Sequence, residues 1–278
     1  MLDRELVRRV VRAALDEDSA GGDVTTEATV PPEARARGVF VAKQELIVAG
    51  LDVAREAFLA LDPALGWRPE GREGDRFFPG TLLAGVEGRA RALLTAERIA
   101  LNFLQRLSGI ATLTRRFVDA VAGTGVLIRD TRKTTPLLRP FEKHAVEVGG
   151  GVPHREGLGS GVLVKDNHVR LAGSVRQATL RAVAGARGLT VEVEVERLDQ
   201  IEEALGAGAQ MVLLDNFTPE DVATAVAAIG GRVPIEVSGG VRLETVRQFA
   251  EAGPDYIAVG ALTHSAPAVD ISLEIEPA

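Results

Sequence analysis

Residues 191–261 decide the fold of this chain, and they read VEVEVERLDQIEEALGAGAQMVLLDNFTPEDVATAVAAIGGRVPIEVSGGVRLETVRQFAEAGPDYIAVGA. Short runs of β-branched residues alternate here with stretches whose apolar residues recur at helical spacing, which is the pattern of parallel βαβ units. We predict strands over 191–195, 211–214, 235–237 and 256–259, and helices over 199–205, 219–228 and 243–251. Two earlier runs, 126–129 and 162–165, predict two more strands of the same sheet.

An α/β barrel and a doubly wound sheet both fit this pattern, and two features favour the barrel. The first is VEVEV, because Glu192 and Glu194 alternate with valines on a strand that should be covered on both faces, so the carboxylates must face the barrel interior. The second is the pair of glycine-rich turns that end IEVSGG and YIAVGA. Late strands of such barrels commonly end in turns that bind phosphate through main-chain N–H groups.

The first hundred residues follow a different pattern, which predicts an α+β domain. Helices are expected over 2–15 and 52–61, an alternating strand over 36–48, and a mixture of loop and strand over 66–94. Thr95 resembles an N-cap and opens a predicted helix through Leu107. Ser108 and Gly109 then predict a break before a second helix, which runs to Val121.

Length and composition exclude several classes of protein. A chain of 278 residues and 29.4 kDa is long enough for one large α/β domain or two smaller ones. The absence of cysteine excludes disulfides, thiolate metal sites and thiol nucleophiles. The net charge of −7 argues against nucleic acid or an anionic membrane as a partner. No run approaches the roughly 18 apolar residues of a membrane span, and the first residues do not resemble a signal peptide, so we expect a soluble, cytoplasmic protein.

Positive charge is concentrated in the middle of this acidic chain. Residues 129–170 hold eight basic and five acidic residues, which gives this segment a net charge of +3. The net charge of the whole chain is −7, so the remaining residues together carry −10. Three of the four lysines, Lys133, Lys143 and Lys165, lie in this segment. Clustered arginine and lysine bind phosphates and carboxylates, so the segment predicts a site for an anionic ligand.

Polar residues follow almost every predicted strand, at the end where barrels build their active sites. Basic groups follow the early strands, carboxylates lie on or after the middle strands, and glycine-rich turns follow the last two. In chain order these residues are Asp130, Thr131, Arg132, Lys133, Lys165, Asp166, Glu194, Asp215, Asn216, Ser238, Gly239, Gly240 and Gly260. The order suits a ligand with a phosphate at one end, sugar hydroxyls or a metal in the middle, and a second anion opposite.

Several motifs in this order resemble the quinolinate phosphoribosyltransferase family. They are GDVTT (22–26), ERIALNFLQRLSGIAT (97–112), TRKTTP (131–136), KHAVEVGGGVPHR (143–155), LVKDNH (163–168), VEVEV, LLDNF and EVSGGV. The resemblance covers nearly the whole chain. It implies an N-terminal α/β open sandwich domain over 1–108, joined by the C-terminal tail 270–278, and an incomplete, seven-stranded α/β barrel over 109–269.

The resemblance also implies a reaction, a metal and an assembly. In the implied reaction, which belongs to NAD biosynthesis, quinolinate reacts with phosphoribosyl pyrophosphate (PRPP) in the presence of Mg2+. The products are nicotinate mononucleotide, pyrophosphate and CO2. The expected assembly is a homodimer, open to further association, in which the N-terminal part of one subunit completes the site of the other. By this resemblance Arg98 reaches the acceptor across the dimer.

The chemistry of the substrates fits roles for the other residues. A flat dianion calls for planar bidentate partners, which arginine supplies. Carboxylates beside the ribose can hold its hydroxyls, bind Mg2+ and stabilise an oxocarbenium-like transition state. We therefore assign substrate binding to Arg98, Thr131, Arg132, Lys133, His154, Arg155 and Lys165, catalysis to Lys133, Glu194 and Asp215, and phosphoribosyl or phosphate binding to Glu194, Asp215, Ser238, Gly239, Gly240, Val259, Gly260 and Ala261. Mg2+ is expected to bind mainly through the substrate, with Glu194 and Asp215 as candidate direct ligands.

Two of these assignments have structural alternatives. Glu194 could be an interior ion-pair partner of Lys165 or Arg132, and His154 could be a hydrogen-bonded core imidazole. Three competing functions also stay open at this point. They are a phosphoribosyltransferase of the same fold with nicotinate or a molybdenum-associated compound as acceptor, a phosphate-binding barrel lyase that uses Lys133 or Lys165 as a Schiff base, and a non-catalytic phosphosugar-binding protein.

Overall fold

The computed structural model describes residues 2–278, which form two compact units. The first unit contains residues 2–113, 137–149 and 266–278, and the second contains residues 114–136 and 150–265. The first is therefore built from three separate stretches of chain. No helix in the described part of the chain combines the length and apolar character of a membrane span.

The described residues form eleven helices and twelve strands. In order they are α1 (Arg4–Ser19), α2 (Val24–Thr29), β1 (Arg35–Ala42), β2 (Leu46–Ile47), α3 (Leu51–Leu59), β3 (Gly66–Pro69), β4 (Arg76–Phe77), β5 (Leu82–Arg89), α4 (Ala90–Ala120), β6 (Leu127–Arg129), α5 (Arg139–Val148), β7 (Val162–Val164), α6 (Asp166–Ala172), α7 (Val175–Gly185), β8 (Val191–Val195), α8 (Asp199–Gly206), β9 (Met211–Asp215), α9 (Pro219–Ile229), β10 (Ile235–Ser238), α10 (Val246–Glu251), β11 (Tyr256–Ala258), α11 (Ala261–His264) and β12 (Ile271–Pro277).

The first unit is an α+β domain built around a four-stranded antiparallel sheet. Its strand order is β12-β1-β5-β3, so the strand nearest the C-terminus pairs with β1, with Phe40 opposite Leu273. The core on this sheet is aromatic, because the rings of Phe40, Phe58 and Trp67 lie 5.7–6.2 Å apart. The α+β class predicted for this region is confirmed.

The predicted pair of helices between the domains is one helix, α4, of 31 residues. The prediction of a break at Ser108 and Gly109 is wrong, because both residues serve close packing inside the helix. The Ser108 hydroxyl accepts the Ala49 N–H at 3.0 Å, and a side chain at Gly109 would collide with the carbonyl of Pro267. Thr95 is not an N-cap either, since it lies within α4.

The second unit is a barrel-like parallel α/β domain, which confirms the predicted fold class. Its six strands lie in the order β6-β11-β10-β9-β8-β7. Outside β6 the chain makes one isolated parallel bridge, in which the Val152 N–H donates to the Ile128 carbonyl at 2.8 Å. The resemblance implies seven strands, whereas the parallel sheet in the described part of the chain has six. Every residue of β8 is buried, including Glu192 and Glu194.

Residues 137–149 group with the first unit, although they lie within the range predicted for the barrel domain. They form α5, which packs on α4 through an aromatic contact and an ion pair. The rings of Phe103 and Phe141 are 6.0 Å apart. Arg106 donates to the fully buried carboxylate of Glu142 at 2.8 Å. A buried carboxylate beside a guanidinium holds α5 on α4, since separating the pair would leave a buried charge.

Candidate active site

The carboxyl ends of the barrel strands bring a lysine and two carboxylates together. Lys165, directly after β7, donates its ammonium group to Glu194 of β8 at 2.9 Å, and the Glu194 side chain is 8% exposed. Asp215 ends β9. Burial raises the pKa of Asp215, and the negative charge of Glu194 raises it further, while Lys165 and Lys133 act in the opposite direction. These four charged groups therefore act on one another, as the strand-end rule predicts.

The turn after β9 is folded against the turn after β10. Asn216 has a φ of +59°, which few residues other than glycine adopt, and its N–H donates to the Ser238 carbonyl at 2.9 Å. Gly239 has a φ of +93°, and any side chain there would collide with Asn216. Two separate constraints therefore require glycine at position 239: the positive φ and the closeness of Asn216.

Four main-chain N–H groups in the turns after β10 and β11 make no hydrogen bond within residues 2–278. They belong to Gly239, Gly240, Gly260 and Ala261. Free N–H groups from two neighbouring turns form a site that suits a phosphate group. The predicted phosphate-binding residue Val259 differs, because it is buried and its N–H donates to the Arg129 carbonyl at 2.9 Å. Val259 therefore has no free donor to offer a phosphate.

Lys133 lies in the turn after β6 and contacts the turn after β11. Its carbonyl accepts the Thr263 hydroxyl at 2.8 Å, and a side chain at Gly260 would meet both the Lys133 stem and the His264 ring at 3.2–3.3 Å. The main chain and the side-chain stem of Lys133 thus lie beside the turn that carries the free Gly260 and Ala261 N–H groups. The His264 ring lies beside the same turn, and it is not among the residues predicted for the site. The signal that could have found it is its position four residues after the glycine of the last turn.

Two arginines, Arg132 and Arg155, form the basic part of the site. Arg132 follows β6, and Arg155 lies in the loop before β7, where it donates to the Gly161 carbonyl at 3.0 Å. Burial lowers the pKa of Arg155, and the neighbouring charge of Arg132 lowers it further, whereas Glu192 acts in the opposite direction. Two adjacent guanidinium groups that are half-buried form a strong site for a carboxylate.

His154 directly precedes Arg155 in the chain, and both of its ring nitrogens lie close to other groups of the protein. Its Nδ1 accepts the Arg155 N–H at 2.7 Å. Its Nε2 lies 3.2 Å from a carboxylate oxygen of Glu192 and 3.5 Å from one of Glu236. The main-chain N–H of His154 donates to Asp130 at 2.8 Å. Of the two interpretations of His154 left open by the sequence, these contacts favour the core imidazole.

Glu236 of β10 is a buried acid that sequence reasoning missed. It accepts a hydrogen bond from Arg129 at 2.7 Å, and the same guanidinium lies 3.9 Å from the centre of the Tyr256 ring. Burial raises the pKa of Glu236 to about 7, and the charge of Glu192 adds to the effect. A signal was present, since glutamate alternates with apolar residues in IEVS as it does in VEVEV.

Arg98 and Thr131 complete the predicted set. Arg98 lies on the exposed side of α4 in the first unit, so it is not among the residues that the second unit gathers. Thr131 lies at the start of the turn after β6, where its hydroxyl accepts the Lys133 N–H at 3.1 Å. The second unit therefore contains every predicted site residue except Arg98. It also contains two buried glutamates, Glu192 and Glu236, that are not in the predicted set.

Comparison with known proteins agrees with this geometry. The C-terminal domain of quinolinate phosphoribosyl transferase matches residues 110–274, and its N-terminal domain matches residues 23–108. The chain is 46% identical to the nicotinate-nucleotide pyrophosphorylase (carboxylating) of Mycobacterium leprae, over 98% of both chains. It is 40% identical to the probable enzyme of that name from Bacillus subtilis, over 93% of this chain and 90% of the relative. The solved structure of NadC from Streptococcus pyogenes has a TM-score of 0.96 and 40% identity, and covers 100% of this chain and 99% of its own.

Proposed function

The chain belongs to the quinolinate phosphoribosyltransferase family, and we propose that its strand-end site divides the two substrates between a basic part and a phosphate-binding part. The protein is a pentosyltransferase of NAD biosynthesis. It transfers the phosphoribosyl group of PRPP to quinolinate with decarboxylation, and it gives nicotinate mononucleotide, pyrophosphate and CO2. The observation that carries the division is the placement of two adjacent guanidinium groups and four free N–H groups at the ends of one parallel sheet.

The basic part binds quinolinate. Arg132 and Arg155 each meet a carboxylate of the pyridine ring, and Lys165 lies between the acceptor and the ribose. The support is electrostatic, because a dianion relieves the mutual repulsion of two half-buried guanidinium groups. An acceptor with one carboxylate, such as nicotinate, would compensate only one of them.

The phosphate-binding part holds PRPP. The 5′-phosphate accepts from the N–H groups of Gly239, Gly240, Gly260 and Ala261, with the Ser238 hydroxyl at the same turn. Lys133 supplies a compact charge beside Gly260. Glu194 and Asp215 face the ribose hydroxyls.

Mg2+ is part of this proposal, and the donor set fits it. Carboxylate oxygens are the ligands that Mg2+ prefers, and the raised pKa of Asp215 beside Glu194 indicates a place where a cation is favourable. When bound, the ion would neutralise charge on the pyrophosphate group. Glu194 and Asp215 are the residues that would hold it.

The reaction requires no covalent nucleophile. Loss of pyrophosphate gives positive charge to the ribose C1, which the carboxylates of Glu194 and Asp215 stabilise while the pyridine nitrogen attacks. The alkylated ring nitrogen is then positive, so it accepts the electron pair left when the adjacent carboxylate departs as CO2. One proton replaces that carboxylate. The site contributes positioning and exclusion of water.

A shared site in a homodimer is a further part of the proposal. The support is that Arg98 is exposed on α4 and makes no hydrogen bond or ion pair within residues 2–278, so its charge is available to a second subunit. We propose a cytoplasmic location as well, on composition alone. Mixing Arg98→Ala with Arg155→Ala should restore part of the activity that each variant lacks. Exchanged dimers with no recovery would contradict a shared site.

The reaction is tested with purified protein, PRPP and Mg2+, with quinolinate and nicotinate compared as acceptors. Mononucleotide, pyrophosphate and CO2 should form in equal amounts from quinolinate, and nicotinate should give no product. Turnover of nicotinate alone would keep the phosphate site and overturn the assignment of the acceptor site. Omitting Mg2+, or adding a chelator, should abolish the reaction.

A further inference from the structure

We propose that Asn216, directly after β9, is a positioning residue for the donor substrate, because its side chain holds the carboxylate of Asp215 beside the turn after β10. This inference rests on the proposed function, in which Asp215 faces the ribose hydroxyls. Asn216 is one of the polar residues that follow the predicted strands. Neither the sequence motifs nor the reaction described above gives it a role.

The Asp215 carboxylate depends on Asn216 for its direction. The side-chain amide of Asn216 donates to Oδ2 of Asp215 at 2.8 Å. In the described part of the chain this is the only hydrogen bond that the carboxylate accepts, and the carboxylate makes no ion pair there. Glu194 differs, because it accepts from the Lys165 ammonium group at 2.9 Å and from the Asp166 N–H at 3.4 Å. The second oxygen of Asp215 therefore stays available for a ribose hydroxyl, and Asn216 decides where that oxygen points.

The side chain of Asn216 is itself held from two sides. A carboxylate can only accept hydrogen bonds, so the amide nitrogen faces Asp215. The amide oxygen lies against Gly239, at the place that a side chain on this glycine would occupy. The Asn216 N–H also donates to the Ser238 carbonyl at 2.9 Å. One residue thus links the carboxylate that faces the ribose to the turn that offers N–H groups to the 5′-phosphate.

The backbone at position 216 favours asparagine for this task. Its φ of +59° lies in the left-handed region, which glycine, asparagine and aspartate enter more readily than most residues. Of these three, asparagine has the side chain that donates a hydrogen bond at neutral pH. Aspartate would turn a second carboxylate towards Asp215, and glycine would leave Asp215 without a donor. The two other residues therefore test the amide while they keep the backbone conformation.

The expected effect is specific to the sugar part of the donor. Ribose 5-phosphate reaches both the turn after β10 and the Asp215 carboxylate, whereas inorganic phosphate reaches only the turn. Asn216→Gly removes the amide, so the carboxylate is free to turn away from the ribose. One hydrogen bond to a charged group corresponds to about tenfold in affinity. Ribose 5-phosphate should therefore bind about tenfold more weakly to this variant, with the affinity for inorganic phosphate within about twofold of wild type.

Calorimetric titration without Mg2+ measures both ligands, so the result depends on neither the metal nor turnover. Asn216→Asp keeps the backbone and the shape of the side chain, and it should lose at least as much affinity for ribose 5-phosphate as Asn216→Gly. Arg187→Gly is the matched control. Arg187 also has a positive φ, of +51°, and it precedes β8, at the opposite end of the strands from the site. This control should leave both affinities unchanged.

Kinetics and the binding of quinolinate complete the test. In Asn216→Gly, KM for PRPP should rise about tenfold and kcat should fall, while the equilibrium affinity for quinolinate stays within about twofold of wild type. Equal losses for ribose 5-phosphate and inorganic phosphate would overturn the inference, since they indicate a turn that has lost its shape. Loss of quinolinate affinity would overturn it as well. If the wild-type protein does not use quinolinate and PRPP the proposed function fails, whereas unchanged affinity for ribose 5-phosphate in active Asn216→Gly defeats only this inference.

Discussion

The raised pKa of Glu236 makes the stability of the protein depend on pH in a predictable direction. The shift from 4.5 to about 7 corresponds to about 3 kcal/mol, at about 1.4 kcal/mol for each pH unit. Because the folded state holds this proton more tightly than the unfolded state, the stabilisation is complete below about pH 4.5 and is lost as pH rises through 7. The group is fully buried, so solvent screening does not reduce this figure.

Glu236→Gln removes that titration and keeps the shape of the side chain. The difference in unfolding free energy between wild type and variant should therefore change by about 3 kcal/mol between pH 4 and pH 8, with the wild type favoured at low pH. In unfolding temperature this is roughly 6 to 12 °C for a chain of this size. Thermal unfolding of both proteins across this pH range measures it. Parallel curves would refute the assignment of the proton to Glu236, and a difference of opposite sign would refute the burial argument.

Three other substitutions have clear expected outcomes. Glu194→Gln should lower kcat by about 100-fold with quinolinate affinity nearly intact, because it removes charge that stabilises the ribose cation; wild-type kcat would remove Glu194 from the mechanism. Gly239→Ala should raise KM for PRPP strongly, since the new methyl group collides with Asn216, whereas Gly185→Ala at the end of α7 meets no atom within 4 Å and serves as its control. Asp23→Ala should lower the unfolding free energy by about 1 kcal/mol, because Asp23 caps α2; chemical denaturation that shows no change would mean that the cap contributes nothing.

The sheet of the second unit could be predicted from the sequence because its strands are short β-branched runs separated by helical periods. Residues 191–195 form β8 as predicted, and the other strands differ by a residue or two at their ends. The continuity of α4 could not be predicted. Ser108 and Gly109 have the composition of a break, and only their neighbours in space, Ala49 and Pro267, explain why a helix holds them.

The candidate site likewise has residues that local sequence patterns predict and residues whose surroundings only the three-dimensional structure explains. Lys165, Glu194 and Asp215 follow from the rule that active sites collect at the carboxyl ends of barrel strands. The surroundings of His154 do not follow from any local pattern, because its partners come from strands far apart in the chain. The charged groups around His154 come together only because the sheet brings Glu192 of β8 and Glu236 of β10, which flank β9, to the same imidazole ring.

The pairing of β12 with β1 has a consequence for how the protein is made. A ribosome adds about 5–20 residues per second, so roughly 10 to 50 s separate the emergence of β1 from that of β12. During that interval one edge of β1 has no partner, and an open strand edge is a template for pairing with another chain. The N-terminal unit can be completed only after the whole barrel has been synthesised. Losing the last eight residues should therefore promote aggregation of nascent chains through the end of the molecule that was translated first.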